Sequence, residues 1–253
     1  MIAAPPIIPG VVPHGSFNVK PGNGLHHCTS TQFIRPASAC QTAAARLLQT
    51  FPRQLRPNTV LPDDPILEEA MRKVTAGLFH SVDGVVQDPF KFQFDSFDED
   101  LGKGLTKMIN TVDTVVLGRV SYQEWAGYWP NASRDEDFAA FINPVEKFVV
   151  SRTLSEPLEW ENSHLIEAPL EEFVSDLKKR DGGEIAVCGS ISVTRQLLFA
   201  GLLDELTLMT HPVVAGSGRR LFEDGDPLTR LELKDQYRTS KGNVVSTYSV
   251  RND

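Results

Sequence analysis

Between Arg72 and Val250 short apolar runs alternate with segments of helical period, and this alternation sets the fold class. Lys73–Phe79 reads as a strand, closed by Ser81-Val82-Asp83-Gly84, whose Asp-Gly pair favours a turn. Phe97–Thr111 reads as a helix, with Leu101, Leu105, Met108 and Ile109 on one face. Strand Thr114–Leu117 is followed by a short helix Ser121–Ala126. Strand Lys147–Val150 precedes helix Leu170–Arg180, and strand Glu184–Val187 precedes helix Ile191–Phe199, which Gly201 closes at its C′ position. Leu203–Met209 is a further strand, and Leu231–Thr239 with Asn243–Val250 forms a hairpin around Lys241-Gly242. Apolar strands joined by helical crossovers imply an α/β fold: a mostly parallel central sheet, helices on both faces and an antiparallel C-terminal hairpin.

The segment before this pattern is different in kind. Residues 1–65 hold ten of the seventeen prolines and two acids, Asp63 and Asp64, against five Lys/Arg. With no sustained apolar period, and with prolines that interrupt helices and central strands, residues 1–70 read as a disordered extension. A short helix at Thr42–Gln49 is its most regular feature. The acid-poor stretch Thr29–Arg56 also permits a transit-peptide reading. Ordered-looking sequence begins at Met71, so residues 71–253 form the expected folded unit.

Net charge −8 argues against a nucleic-acid backbone or an anionic membrane as the main partner, and no apolar run approaches the roughly 18 residues of a membrane helix. Three cysteines, Cys28, Cys40 and Cys188, lack CxxC or CxxH spacing; this opposes a zinc site or disulfide framework and suits a reducing cytoplasm.

Ligands of open α/β sheets bind beyond the carboxyl ends of the strands. Three such ends carry unusual chemistry. Gly118-Arg119-Val120-Ser121 offers flexible backbone, a cation and helix N-terminal amides. Ser151-Arg152-Thr153 sets a cation between two hydroxyls, and Gly189-Ser190-Ile191-Ser192 joins a glycine to another helix N-terminus. Such termini hold phosphates, and arginine adds charge-assisted bonds. Singly, each is also a plain turn or helix cap, and none fits G-x-G-x-x-G or the G-x-x-x-x-G-K-[ST] loop. Their coincidence points to a split phosphate site.

In order, the chain carries Ser81-x-Asp83-Gly84, Leu117-Gly118-Arg119, Ser151-Arg152-Thr153, Cys188-Gly189-Ser190, Asp204-Glu205-Leu206 and HPVVAGSGRRLF at His211–Phe222. This set resembles the dihydrofolate reductase-like fold, in the branch containing the reductase domain of bacterial riboflavin biosynthesis, over about Met71–Val250. The resemblance implies NADPH as cofactor. Gly118, Arg119 and Ser121 would hold phosphates; Ser151, Arg152 and Thr153 would surround the adenosine ribose and its 2′-phosphate; Gly189, Ser190, Ile191 and Ser192 would cradle the pyrophosphate. The loop at Asp83–Gln87, with Val86, would border the nicotinamide. A homodimer is implied as well.

The resemblance is less informative about the substrate. Folate-reducing relatives carry one carboxylate on the first helix. Here FDSFDEDLGKGL offers Asp95, Asp98, Glu99 and Asp100, of which Asp100 is the nearest analogue and the catalytic candidate; its alternative role is a helix N-terminal acid. The tryptophan usual ahead of that helix is missing, which points away from folate itself. Arg219 and Arg220 are candidates for an anionic substrate, and Trp125, Tyr128 and Trp129 for stacking on a flat ring. His211, before Pro212, reads as structural. The expected activity is NADPH-dependent reduction of a pteridine- or pyrimidine-like heterocycle. The alternatives are the riboflavin-pathway reduction of a ribosylaminopyrimidine phosphate and a nucleotide-binding module without catalysis.

Overall fold

The computed structural model describes residues 71–250. The extension at 1–70 and its expected helix lie outside the described residues.

The elements in chain order are β1 (Val74–Ser81), α1 (Phe90–Gln93), α2 (Glu99–Ile109), β2 (Val112–Gly118), α3 (Arg119–Ala126), α4 (Glu136–Ile142), β3 (Glu146–Val150), β4 (Ser163–Leu165), α5 (Leu170–Lys178), β5 (Glu184–Cys188), α6 (Ile191–Phe199), β6 (Glu205–His211), β7 (Leu231–Arg238) and β8 (Val244–Val250). They build one eight-stranded sheet in the order β4-β3-β2-β5-β1-β6-β8-β7. All neighbours are parallel except β6/β8 and β8/β7. The expected α/β architecture with its antiparallel closing hairpin is therefore the observed one.

Side chains on a strand alternate between faces, and β2 shows the consequence. Val116 joins the core under α5 and α6, with Leu170, Val174, Leu177, Val193, Leu197 and Leu198. Its neighbours Val115 and Leu117 join the opposite core, with Tyr122 and Trp125 of α3 and Phe138 and Ile142 of α4. Both faces are thus covered, which is why the parallel strands read as unbroken apolar runs. Beneath α2, Leu101 and Leu105 pack on Phe79, Met209 and Val245.

Helix ends follow their sequence signals. Ser190 caps α6 by accepting the Val193 N–H at 3.3 Å. At the other end Gly201, φ +69°, reverses the chain, with Leu202 N–H donating to Leu197 O (2.9 Å) and Gly201 N–H to Leu198 O (3.1 Å). Sequence reading did not anticipate α1, α4 or β4. These are a single turn, a seven-residue helix and a three-residue strand, too short to establish a period. Within this region Lys147 is fully buried, its Nζ donating to the carbonyls of Ile142, Asn143 and Val145 beneath the Trp160 ring. Burial lowers its pKa to about 8, against a smaller opposing pull from the Glu161 carboxylate.

The start of β1 is clamped. Arg72, buried, donates to Gly183 O at 2.6 Å and to Thr114 Oγ1 at 2.8 Å, and pairs with Asp113. Asp204 accepts from the Val74 amide and from Lys178. We propose that residues 71–253 fold without the extension. A chain beginning at Met71 is expected to keep the full-length thermal midpoint, whereas one beginning at Val74, lacking Arg72, loses roughly 1–3 kcal/mol with the hydrogen bonds of that buried guanidinium to Gly183 O and Thr114 Oγ1. Calorimetry of both truncations checks this; equal midpoints for the two would contradict the role of the clamp.

Candidate cofactor and substrate cleft

β3, β2, β5 and β1 are consecutive in the sheet, and their carboxyl ends open into one cleft of about 1310 Å³. That exceeds the ~300–1,000 Å³ of a typical small-molecule pocket and leaves room for a ligand of dinucleotide size. Adjacent strands lie ~4.8 Å apart, so three successive ends span about 10 Å, the scale of a chain of phosphate and ribose groups. The cleft is lined by Val86, Gly118, Arg119, Ser121, Ser151, Arg152, Thr153, Gly189, Ser190, Ile191 and Ser192, every cofactor-site residue expected from sequence.

The groups present suit an anion. α3 starts at Arg119 without a side-chain cap, and the Ser190 cap of α6 takes only the Val193 amide. First-turn amides of both helices are thus left for an external acceptor. Arg119 is exposed, and its Nη1 donates to Gln123 Oε1 at 2.6 Å. Arg152 is exposed as well, and neither arginine has an acidic partner among the described residues. Ser151 Oγ accepts from the amides of Thr153 (3.1 Å) and Leu154 (3.0 Å), which folds the chain back and presents Arg152 at the β3 end.

Two details add to the sequence reading. Ser121 Oγ donates to the Gly189 carbonyl, tying the β2 and β5 ends together. A Cβ on Gly118 would lie 2.3 Å from Ser190 Oγ and 2.8 Å from Ser190 Cβ. Its missing side chain therefore makes room for the neighbouring strand end.

The wall beside β1 is latched. Asp83 accepts from Ser81 Oγ (2.7 Å) and from the amides of Ala215 (2.8 Å) and Gly216 (2.9 Å), and Arg220 Nε donates to Asp83 O at 2.7 Å. Those bonds, the Ser81 hydroxyl first, hold the Asp83 carboxyl down at about 2. Beyond it the Val86 amide donates to Arg219 O at 3.0 Å, so residues 85–87 and 219–220 run side by side. Arg220 is consumed by this latch, while Arg219 lines the cleft, its guanidinium 3.7 Å from Glu223.

Other candidates fall elsewhere. Asp100 does not line the cleft; its Oδ2 accepts the Ser240 amide at 2.9 Å. Asp98 caps α2 and accepts from the Lys241 amide, and Asp95 pairs with Lys241. These acids pin the β7–β8 turn to the start of α2, a contact across about 140 residues that no local pattern announces. Trp125 and Tyr128 line the cleft, but Trp129 is fully buried between Trp125 and Phe138, at ring-centroid distances of 6.0 and 4.7 Å. The cleft's own carboxylates are Asp88, Glu124 and Glu167, none of them singled out from sequence.

His211 is buried at the end of β6 against Phe79 and Phe92, with Nδ1 at 2.6 Å from Ser96 Oγ. Desolvation lowers its pKa from 6.5 to about 4. Between those values the unfolded chain takes up a proton that the folded chain refuses. Stability is therefore complete above about pH 6.5 and declines as pH falls towards 4, by at most ~1.4 kcal/mol per pH unit. His211→Gln is expected to remove this part of the slope in urea unfolding followed from pH 7 to 4.5; an unchanged slope would contradict it. Asp83 does not overlap, since its contribution is lost only below about pH 4, towards its folded value near 2.

Residues 72–245 match the family model described as RibD C-terminal domain, and the chain belongs to that family. It is 29% identical over 180 residues to the uncharacterized protein YyaP of Bacillus subtilis, covering 70% of this chain and 94% of that one. To YwjB of the same organism, also uncharacterized, it is 26% identical, covering 71% and 98%. Among solved structures it resembles a putative riboflavin biosynthesis protein from Shewanella sp. PV-4 (TM-score 0.59, 18% identity, 71% of this chain and 99% of that one). It also resembles a pyrimidine reductase-like protein from Corynebacterium diphtheriae (TM-score 0.54, 17% identity, 72% and 93%). At these identities the structural likeness shows the dihydrofolate reductase-like fold.

Proposed function

We propose that the chain is an NADPH-dependent reductase of a small heterocycle, and the observation that carries this reading is one cleft shared by three phosphate-suited strand ends. Gly118, Arg119 and Ser121, with the α3 amides, would take phosphate oxygens. Ser151, Arg152 and Thr153 would surround the 2′-phosphate, and Gly189–Ser192 the pyrophosphate. Bound NADPH supplies a hydride; the chain orients the reacting ring and excludes water from it. Leu78, Phe79, Val86, Pro89 and Phe90 give the β1 side an apolar lining suited to a flat ring. Family membership favours a pyrimidine-like substrate, with reduction of a ribosylaminopyrimidine phosphate as the nearest alternative, and Arg219, which lines the cleft, would meet such a phosphate.

The test is oxidation of NADPH followed at 340 nm against a panel of pteridines and pyrimidines. Turnover of any member supports the reading, and NADPH binding without turnover across the panel favours a nucleotide-binding module.

Among the described residues no helix is long and apolar enough to cross a membrane. We place the protein in the cytoplasm on its cysteine usage. We also propose a homodimer: β7 is an edge strand exposed along most of its length, with Leu233 and Tyr237 uncovered in part. Light scattering at micromolar concentration is expected to give twice the chain mass; a monomer mass would refute pairing.

A further inference from the structure

We propose that Glu167 sets the choice of nucleotide: its carboxylate accepts from the free ribose 2′-hydroxyl of NADH and repels the 2′-phosphate of NADPH, so that the chain takes both. This rests on the cofactor reading above and names a residue that works against Arg152 within it. The placement follows from strand pairing. β3 and β4 are parallel neighbours with Val149 opposite Leu165, and beyond that pair the Ile166 amide still donates to Val149 O at 3.0 Å. Ser151 stands two residues past Val149, and Glu167 stands two past Leu165. The pairing therefore brings the Glu167 backbone abreast of Ser151, one strand spacing or ~4.8 Å away. Both residues line the cleft, as do Arg152 and Thr153. The strand end assigned to the 2′-phosphate thus holds an acid beside its arginine.

Glu167 is also uncommitted. It is exposed, and among the described residues its carboxylate has no ion-pair partner. The acids around it are engaged within the chain. Glu156 accepts the Leu165 amide at 2.6 Å and the Leu158 amide at 3.1 Å, and Glu171 accepts from Gln196 at 2.7 Å. An ionised carboxylate only accepts hydrogen bonds, so it suits a ribose hydroxyl, the donor that NADPH has lost to its phosphate. Against a phosphate monoester, which carries about −1.5 to −2 charges at neutral pH, the same carboxylate is repulsive. Arg152 favours the phosphate and Glu167 the hydroxyl, and the balance of the two fixes the preference.

The test is Glu167→Gln, which removes the charge at nearly constant shape, in the full chain. NADPH and NADH are each titrated by their own fluorescence, at low and at high salt. At low salt the variant is expected to bind NADPH roughly 3- to 10-fold more tightly and NADH about threefold more weakly, widening the ratio roughly tenfold or more. The gain on NADPH should shrink as salt rises. The control is Glu172→Gln, which removes the same charge from an exposed position in the first turn of α5, outside the cleft, and should leave the ratio unchanged. An acid that served only the α5 dipole would alter the thermal midpoint and not the ratio. An unchanged ratio in Glu167→Gln therefore overturns the assignment, and so does an equal change in Glu172→Gln. In either case the cofactor reading stands, because wild type has bound the nucleotides. If wild type binds neither nucleotide, the cofactor reading falls and this assignment falls with it.

Discussion

Gly118→Ala is expected to lower the thermal midpoint and abolish dinucleotide binding together. The added Cβ would sit 2.3 Å from Ser190 Oγ and 2.8 Å from Ser190 Cβ, closer than any stable contact. Neither side can yield easily. Gly118 ends β2 in register with Val150 of β3, and Ser190 is a buried helix cap held by the first turn of α6. Overpacking of this kind costs about 1–3 kcal/mol, roughly 2–12 °C for a domain of this size. The strain falls where the two helix N-termini meet the cleft, so cofactor affinity is lost with stability. Ser190→Gly in the same chain removes both clashing atoms, and glycine at an N-cap costs only a few tenths of a kcal/mol. The double variant should therefore be more stable than Gly118→Ala alone. If calorimetry showed the two substitutions simply adding, the contact between β2 and β5 would not be the reason for a glycine at 118.

The second large effect concerns the arginines. With each charge-assisted bond worth about 1.5–3 kcal/mol, Arg119→Ala or Arg152→Ala should weaken NADPH roughly 10- to 150-fold. Arg152, presented by the Ser151 turn, is assigned to the 2′-phosphate, a group NADH lacks. Its alanine variant should therefore leave NADH binding nearly untouched, whereas Arg119→Ala weakens both nucleotides if it meets the pyrophosphate. Both arginines are exposed, so affinity should fall as salt rises. Fluorescence titration of the two nucleotides decides it; Arg152→Ala binding NADPH as tightly as wild type would refute the assignment.

What sequence made legible was local. The Val115-Val116-Leu117 run, Ser190 as a cap and Gly201 as a helix stop each act within a few residues, and each stands where it was expected. The three strand ends were legible because parallel α/β sheets collect their carboxyl ends at one edge. The substrate side was not. Asp95, Asp98 and Asp100 sit in an acidic helix start, and local pattern cannot show that Ser240 and Lys241 arrive there from the far end of the chain. Gly118 likewise owes part of its identity to Ser190, and Asp83 is bound to Ala215 and Gly216 across more than 130 residues. Glu167 gave no local signal, and its place abreast of Ser151 became visible only in the pairing of β3 with β4.

The central claim, that the β3, β2 and β5 ends hold NADPH, is tested most directly on the unaltered protein. NADPH is titrated by its fluorescence and by the thermal shift it produces, with NADH in parallel, at low and at high salt. The expected result is saturable NADPH binding that raises the midpoint, exceeds NADH binding and weakens with salt. No binding of either nucleotide at millimolar concentration would contradict it.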